Sequence, residues 1–487
     1  MKLIYNVEDK PQVSERIVFA FQQLLAIMAA TIAVPAIIGN GMTASAALFG
    51  AGVGTLVYQL FTKFRSPVFL GSSFAFLGSM FAAFAGGVSM SLGFLGLIMG
   101  AVFAGLVYVV FAFIVKAAGV QWINKLMPAV IIGPIVAIIG LSLAGNAVGD
   151  MVKGDVGTWE SVSTVVDASG AVLKTESIFF PVASKYVALI CGLVTLFTVI
   201  VCSVYGGKKI RLIPFILGIL AGYAVALCFT LIGNSTNNDA LKIIDFTPFK
   251  ALVADGVSLK TFVNLPQFSF IIAAGGFKEL NVTYVVSILF AYMPVAAVVF
   301  AEHLADHKNL SSIIEKDLTR DPGLDKTLLG DGIGSMAGAF FGGCPNTTYG
   351  ESIGCVAITK NASVITVTYA AFLAIVVAFI SPLVAFLDSI PACVMGGVCM
   401  TLYGFIAVSG LKMLQPVDLN DNRNLFVASV ILISGVGGLS LSFATKMGDI
   451  TITTVACALI LGIVTNLIVR RGATPAGQEP KPQQLIK

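Results

Sequence analysis

Two short segments of this sequence place ionisable side chains between long apolar runs. In AEHLADH, Glu302 and Asp306 are four residues apart and share one face of a helix, and the chain's two histidines, His303 and His307, share the adjacent face. In CPNTTYGESIG, Glu351 follows a polar, turn-rich stretch. Carboxylates one helical turn apart suit a ligand with adjacent N–H donors, or a proton carrier. Ionisable groups are costly inside a bilayer, so we interpret both segments as parts of a functional site.

The membrane setting follows from composition. Of the 487 residues, 57% are hydrophobic and 11% are charged, whereas soluble proteins carry about 25% charged residues. Apolar runs of about 18 residues or more, long enough to cross a bilayer, recur along the chain. We therefore predict an all-α polytopic membrane protein without a sizeable soluble domain. The eight cysteines lack metal-ligand spacing and the basic residues are scattered among loops, so no metal, cofactor or nucleic-acid partner is predicted.

Hydropathy predicts fourteen transmembrane segments. Their approximate bounds are 15–38, 45–62, 67–85, 92–117, 124–147, 181–205, 210–233, 279–307, 323–342, 345–359, 362–386, 390–411, 424–444 and 450–470. The third and tenth contain closely spaced Pro and Gly, which predicts short, broken elements. Two long polar loops, 148–180 and 234–278, are predicted on the outer side, as solvated loops with short strands. Within the second, LKTFVNLPQFSF could instead lie along the membrane surface.

Orientation is predicted from basic residues. Most of the 29 lysines and arginines fall in segments that are cytoplasmic if the N-terminus is cytoplasmic. This distribution predicts a multi-pass protein of the cytoplasmic membrane with both termini inside and an even number of spans.

The two broken segments occupy the third position in each set of seven spans. Paired interrupted segments in two inverted halves are typical of the binding site of a secondary transporter. We expect an extended piece of each to pair with the other near the bilayer centre, with the following half-helix N-termini aimed at a substrate. Phe74 after the first piece, opposite Tyr349 after the second, could stack on a planar ring. Asp331 lies in a glycine-rich span where helices approach closely, in either a proton-linked or a structural role.

Two other classes of protein remain as alternatives. A channel or anion transporter on the same fold would use the half-helix N-termini, but facing glutamates would repel an anion. An intramembrane enzyme would need a metal site around HLADH, which lacks a third convincing ligand. For Asp306 and His307, the solvated cytoplasmic end of a helix is the simpler alternative.

These motifs resemble the nucleobase–ascorbate transporter family over nearly the whole chain. Glu302-His303 is similar to the glutamate motif of the eighth span, Asp321-Pro322-Gly323-Leu324 to the DPGL of the next loop, and PNTTYGESIGCVAITK to the family signature. AFQQLLAIMAATIAVP, GSSFAF and PACVMGGVCMTLYG also match. Within the family, the TTYGE version resembles that of uracil-transporting members.

The resemblance implies an inverted repeat of seven plus seven spans and proton-linked nucleobase import. Its implied organisation is core spans 1–4 and gate span 5 in residues 1–147, an outer loop at 148–180, gate spans 6–7 at 181–233, an outer loop at 234–278, core spans 8–11 at 279–386, gate spans 12–14 at 387–470 and a cytoplasmic tail at 471–487. The implied partners are a nucleobase and the lipid bilayer, with a homodimer left open and the proton as coupling ion in place of a cofactor.

Residue roles also follow from the resemblance. The implied substrate-binding residues are Glu302 and Glu351 for the ring N–H groups, Gly350 and Tyr349 for backbone contacts, and Phe74 and Ala30 on either side of the ring. The implied proton-linked or supporting residues are Asp306, Asp331, His303, Gln23 and, on the gate side, Tyr403.

The sequence also departs from the uracil-type pattern. Asp306 stands where uracil-type members have a histidine, Gln23 where they often have one, and Ser352 replaces the signature asparagine. Asp306 and the GDG around Asp331 are similar to purine-type members. Glu351 therefore favours uracil, our first choice, whereas the two aspartates leave xanthine as the alternative.

Overall fold

The computed structural model describes residues 3–119, 128–166, 172–207, 210–254, 256–445 and 448–470. Its helices are α1 (Val13–Ile38), α2 (Ala44–Phe61), α3 (Leu77–Ala83), α4 (Met90–Ala118), α5 (Ala129–Ser142), α6 (Ala144–Asp150), α7 (Lys185–Tyr205), α8 (Pro214–Thr236), α9 (Thr247–Val253), α10 (Leu259–Phe262), α11 (Ser269–Ala273), α12 (Val282–Ile314), α13 (Leu324–Gly342), α14 (Gly350–Thr359), α15 (Val364–Val377), α16 (Ser381–Asp388), α17 (Ala392–Met413), α18 (Asn422–Val436) and α19 (Thr454–Arg470). Its strands are β1 (Leu70–Ser72), β2 (Gly157–Val166), β3 (Val172–Pro181), β4 (Asn346–Thr348), β5 (Leu441–Thr445) and β6 (Gly448–Ile452).

The helices confirm an integral, multi-pass membrane protein. Within the described ranges, eight helical stretches are long and apolar enough to cross a bilayer: α1, α2, α4, α5 with α6, α7, α8, α12 and α17. α13 has 19 residues, and α15, α18 and α19 are shorter apolar helices. The exact count of fourteen spans therefore stays a prediction. Residues 124–127 and the predicted tail at 471–487 lie outside the described residues.

Several of the predicted spans are not continuous helices, and two of them are divided near their middle or end. The segment 362–386 divides into α15 and α16, because Pro382 lacks the backbone N–H that would continue α15. The segment 424–444 ends as helix at Val436, before Gly438 adopts a positive φ of 73°, and then enters β5.

The predicted pairing of the two broken segments is confirmed. β1 and β4 form an antiparallel pair with partners Leu70 and Thr348, Gly71 and Thr347, and Ser72 and Asn346. A Cβ atom on Gly71 would lie 2.3 Å from the ring of Tyr349, so only glycine fits this approach. Each strand is followed by a short helical element, a 3₁₀ turn from Phe74 leading into α3 on one side and α14 on the other.

A glycine seam joins α2 to α13, as predicted for the span that carries Asp331. A Cβ atom on Gly50 would lie 2.5 Å from the carbonyl oxygen of Gly338, and one on Gly54 would lie 2.7 Å from that of Gly334. Backbones at this separation fix α13 closely against α2. The seam therefore holds the helix of Asp331 in a defined position behind the strand pair.

The helices pack in two groups. In the first group, α2 and α4 pack on α13, α4 also packs on α12, and α15 packs on α1 and α2. In the second group, α5 packs on α17 and α18, α7 packs on α8 and α17, and α18 packs on α19. That the first group acts as a core and the second as a gate stays a prediction.

The two long loops contain regular structure. The first holds the antiparallel hairpin β2–β3, consistent with the predicted short strands. In the second, the structure has the short helices α9, α10 and α11 where strands were expected. The segment after α10 is tied to the junction between α15 and α16, since Val263 bridges Ile380 and the Asn264 N–H donates to the Phe379 carbonyl at 3.0 Å.

The N-terminal segment pairs with the connection that follows α14. The Ile4 N–H donates to the Lys360 carbonyl at 2.8 Å, and the Ala362 N–H donates to the Tyr5 carbonyl at 2.9 Å. Val7 extends the contact, because its carbonyl accepts from the Val364 N–H at 3.1 Å and its side chain is buried. The first described residues are thus part of the folded membrane domain.

Candidate functional site

A cavity of about 360 Å³ lies between the two helix groups. It falls in the range of about 300–1,000 Å³ typical of small-molecule sites. The first helix group contributes what we call the polar wall: Ser73, Phe74, Ala75, Glu302, Ala305, Asp306, Thr347, Thr348, Tyr349, Gly350 and Glu351. The second contributes the apolar wall: Val136, Ile139, Phe215, Leu402, Phe405, Ile406, Ser409 and Met413.

α12 presents its two faces as the sequence predicts. Glu302 and Asp306 line the cavity, whereas His303 and His307 are fully buried on another face, with ring centroids 4.0 Å apart. The helix continues to Ile314, so the interpretation of His307 as a solvated helix end is wrong. The Nε2 atom of His307 lies 2.8 Å from the hydroxyl oxygen of Tyr58, inside the first helix group.

Asp306 is tied to the strand pair. The Thr348 hydroxyl donates to Asp306 Oδ2 at 2.6 Å. Thr348 is the last residue of β4, so this hydrogen bond fixes α12 against the segment that leads to Glu351. The segment that runs from β4 into α14 therefore positions both Asp306 and Glu351.

Glu351 lies in the first turn of α14. Tyr349 precedes this helix in an extended conformation, and Gly350 is its first residue. The first N–H groups of a helix have no partner within the helix, and Gly350 and Glu351 both line the cavity, so their N–H groups could donate to a ligand carbonyl. The site therefore places N–H donors and a carboxylate acceptor side by side.

His303 and Asp331 form a buried pair. His303 Nδ1 lies 2.7 Å from Asp331 Oδ2, and His303 Nε2 lies 3.0 Å from the Thr327 hydroxyl oxygen. That hydroxyl also lies 3.1 Å from the Leu324 carbonyl oxygen, so its single hydrogen can go to the carbonyl or to Nε2. The short distance between Nδ1 and Oδ2 pairs the imidazole with the carboxylate of Asp331 and not with the cavity.

Asp331 does not line the cavity. It is 1% exposed, and the Thr347 hydroxyl of the cavity wall donates to its Oδ2 at 3.5 Å. The structure therefore places Asp331 behind β4, not beside Glu302 and Asp306.

Gln23 supports α14 from behind. Its side-chain amide donates to the Ser352 hydroxyl, which also accepts from the Phe69 N–H at 3.2 Å. Gln23 and Ser352 are both buried, and neither lines the cavity. The departure at Ser352 and the departure at Gln23 are thus two ends of one hydrogen bond.

Of the aromatic residues predicted for the site, some line the cavity and others are buried behind its lining. Phe74 lines the cavity, and its ring contacts that of Tyr403 edge-on, with centroids 6.0 Å apart. Tyr403 and Ala30 are buried and do not line the cavity; Ala30 packs in the cluster that contains Tyr349. The Tyr349 hydroxyl donates to the Ser72 carbonyl at 2.6 Å, which ties the start of α14 to β1.

The sequence interpretation missed several wall residues. Ser73, Thr347 and Thr348 flank the two motifs, and their hydroxyls were available as a signal. The apolar wall carried no signal, because an apolar side chain that faces a cavity looks the same in sequence as one that faces a neighbouring helix. Among the described residues, no group of three or more His, Cys, Asp or Glu side chains could hold a metal ion.

Solved structures define the class of protein by its fold. The transmembrane domain of the cyanobacterial bicarbonate transporter BicA matches with a TM-score of 0.55 and 13% identity, over 95% of this chain and 100% of that one. The murine anion transporter Slc26a9 matches with a TM-score of 0.57 and 14% identity, over 95% of this chain and 69% of that one. At these identities the likeness concerns the fold alone, which is a transporter fold.

Sequence comparison then gives the family. The Xan_ur_permease model, described as "Permease family", matches residues 14–175 and 161–443. The uracil permease of Bacillus caldolyticus is 38% identical over 471 residues, covering 96% of this chain and 95% of the relative. The uracil permease of Escherichia coli K12 is 33% identical, covering 96% and 94%, and a putative pyrimidine permease of the same strain is 31% identical, covering 95% and 91%.

The chain therefore belongs to this permease family. The predicted resemblance is confirmed, and so is the assignment to transport proteins rather than enzymes.

Proposed function

We propose that the protein imports a neutral nucleobase, with uracil as first choice, across the cytoplasmic membrane in symport with a proton. The observation that carries the proposal is the pair of carboxylates from separate elements, Glu302 of α12 and Glu351 of α14, on one wall of one cavity. Each could accept an N–H of the ring, and a hydrogen bond to a charged group contributes about 1.5–3 kcal/mol. An anion would be repelled by the same pair.

Uracil is favoured over xanthine by two observations. Glu351 is the glutamate of the TTYGE segment, which resembles the uracil-type signature, and it lines the cavity. The relatives named above are called uracil or pyrimidine permeases. Xanthine stays the second candidate because Asp306, which is similar to purine-type members, lines the cavity as a further acceptor.

The coupled proton is assigned to Glu302 or Asp306. Both line the cavity, where a proton and a substrate can influence each other's binding directly. The His303 and Asp331 side chains pair with each other and lie behind the strand pair, so we give them a positioning role. Protonation would lower the negative charge of the polar wall in the loaded state.

Alternating access follows from the contrast between the walls. A polar wall of lower charge, with its substrate bound, could slide past the apolar wall without exposing an unpaired carboxylate to apolar surface. Coupling requires that proton and substrate each favour the state in which the other is bound.

The test is binding of uracil and xanthine to the purified protein between pH 5 and 8. We expect uracil to bind, and Glu302→Ala to abolish binding, because the variant lacks one of the two facing acceptors. Glu8→Ala, an exposed glutamate outside the cavity, is the matched control and should bind as the parent does.

Each other outcome is informative. Preference for xanthine would replace uracil by the second candidate. Unchanged uracil binding in Glu302→Ala would contradict the site, and binding of neither compound would contradict the nucleobase assignment.

A further inference from the structure

A second cavity, of about 380 Å³, adjoins the candidate site. Phe74, Ala75 and Ile139 line both cavities and therefore separate them. The Phe74 ring contacts that of Tyr403 edge-on and is the largest side chain of this partition. Nothing in the proposed function uses the space beyond it.

The second cavity lies on the predicted outer side of Phe74. It is lined by α3, by the α5–α6 region that leads into the predicted outer loop 148–180, and by the start of α19. The candidate site extends the other way, to Met413 at the end of α17 and to Phe215 at the start of α8, both predicted to be cytoplasmic ends. The two cavities thus follow one another along the boundary between the helix groups.

The lining of the second cavity is aromatic, aliphatic and polar without charge. Its polar side chains are Ser142, Asn146, Ser440, Thr453 and Thr454. The Thr453 side chain is buried, 6% exposed, and its hydroxyl has no hydrogen-bond partner within the described part of the chain. A buried hydroxyl is normally paired, so an unpaired one on a cavity wall indicates a place for a ligand atom.

The lining selects the class of ligand. Within the described residues no ionisable side chain lines this cavity, so a charged ligand would lose its hydration without an opposite charge in return. A lipid chain would fill the space but leave the Thr453 hydroxyl unpaired. A small neutral ring with N–H and C=O groups satisfies the polar side chains and packs on Phe74 and Phe81.

We propose that this cavity is an external subsite, where a neutral nucleobase binds before it passes Phe74 into the candidate site. The inference rests on the proposed function and on the predicted orientation of the chain. It makes Thr453 a substrate-contacting residue on the outer side and Phe74 the shared wall of two consecutive sites.

The test compares uracil uptake from the two sides of the membrane. Thr453→Val keeps the shape of the side chain and removes the hydroxyl. In right-side-out vesicles we expect the KM for uptake to rise about threefold to tenfold, the effect of one hydrogen bond to a neutral partner, while the KM measured in inside-out vesicles stays unchanged. Thr401→Val on α17, which removes a hydroxyl that bonds only the Val398 carbonyl, is the matched control and should change neither value.

The test is decided by whether the KM rises in right-side-out vesicles and not in inside-out vesicles. An equal rise of KM on both sides would indicate a general structural effect and overturn the proposal, as would no change on either side. Asn146→Leu provides a second variant should Thr453→Val fail to fold, with the same expected asymmetry. If the unmodified protein transports no nucleobase, the proposed function fails and the subsite with it; if it does transport one, these results concern the subsite alone.

Discussion

The two walls of the candidate site meet the same cavity with different chemistry. The polar wall carries Glu302, Asp306 and Glu351 together with the first residues of α14. On the apolar wall, Ser409 is the one polar side chain among the residues that the structure describes. Under the proposed function, the contrast assigns substrate recognition to the first helix group and to the second a surface along which the first could move.

After the loss of binding expected for Glu302→Ala, the next largest effect is on the same polar wall, at Glu351. Glu351→Gln keeps the shape of the side chain but removes the charge that strengthens its hydrogen bond, so we expect uracil affinity to fall about tenfold to a hundredfold. Isothermal titration with uracil and xanthine measures the change, and Glu8→Gln is the control. Unchanged uracil affinity would show that Glu351 does not contribute to substrate recognition.

The second prediction separates binding from coupling on the same wall. Asp306→Asn retains an oxygen that can accept from the Thr348 hydroxyl, so we expect uracil affinity to change by less than about threefold. The variant cannot take up a proton at this position. If Asp306 carries the proton, the rise in uptake as the external pH falls should be lost.

Uptake into proteoliposomes between pH 5 and 8 measures this prediction, with Asp325→Asn at the start of α13 as a control. If uptake by Asp306→Asn keeps its pH dependence, the coupled proton is assigned to Glu302 instead of Asp306.

The third prediction concerns the support behind the polar wall. Gln23→Leu removes the hydrogen bond to Ser352, so α14 should be positioned less well and uracil affinity should fall about threefold to tenfold. Gln23→His restores a donor and should recover most of the affinity. A loss that histidine does not rescue would indicate a packing effect and not a positioning role.

The smallest expected effect is on the apolar wall. Ile406→Val removes one methylene from the cavity surface, which is worth about 0.8 kcal/mol, so uracil affinity should change by less than about fourfold. Binding titration of this variant beside Glu351→Gln tests the comparison directly. A loss as large as that of the glutamate variant would show that recognition is shared between the walls.

The sequence predicted the features that depend on local pattern. The four-residue spacing of Glu302 and Asp306 placed both on one helix face, and the Pro and Gly of the third and tenth segments predicted the paired strands. These signals lie within a few residues of the groups they describe, so they could be found without a structure.

What the sequence could not provide depends on packing between distant segments. The bond from Gln23 to Ser352 joins residues 329 positions apart, and the register of β1 on β4 decides that Thr348 meets Asp306. Ala30 was assigned to the ring by resemblance, but the structure places it one layer behind Tyr349. The apolar wall exists only because the two helix groups face each other, so it cannot be recognised from the sequence of one helix.

The pairing of residues 4–7 with residues 360–364 has a consequence for the order in which the chain folds during its synthesis. Residues 4–7 are synthesised well before their partners, which lie about 355 positions later in the chain. At about 5–20 residues per second, the segment waits on the order of tens of seconds before it can pair. The contact between residues 4–7 and the connection that follows α14 is therefore completed late in synthesis.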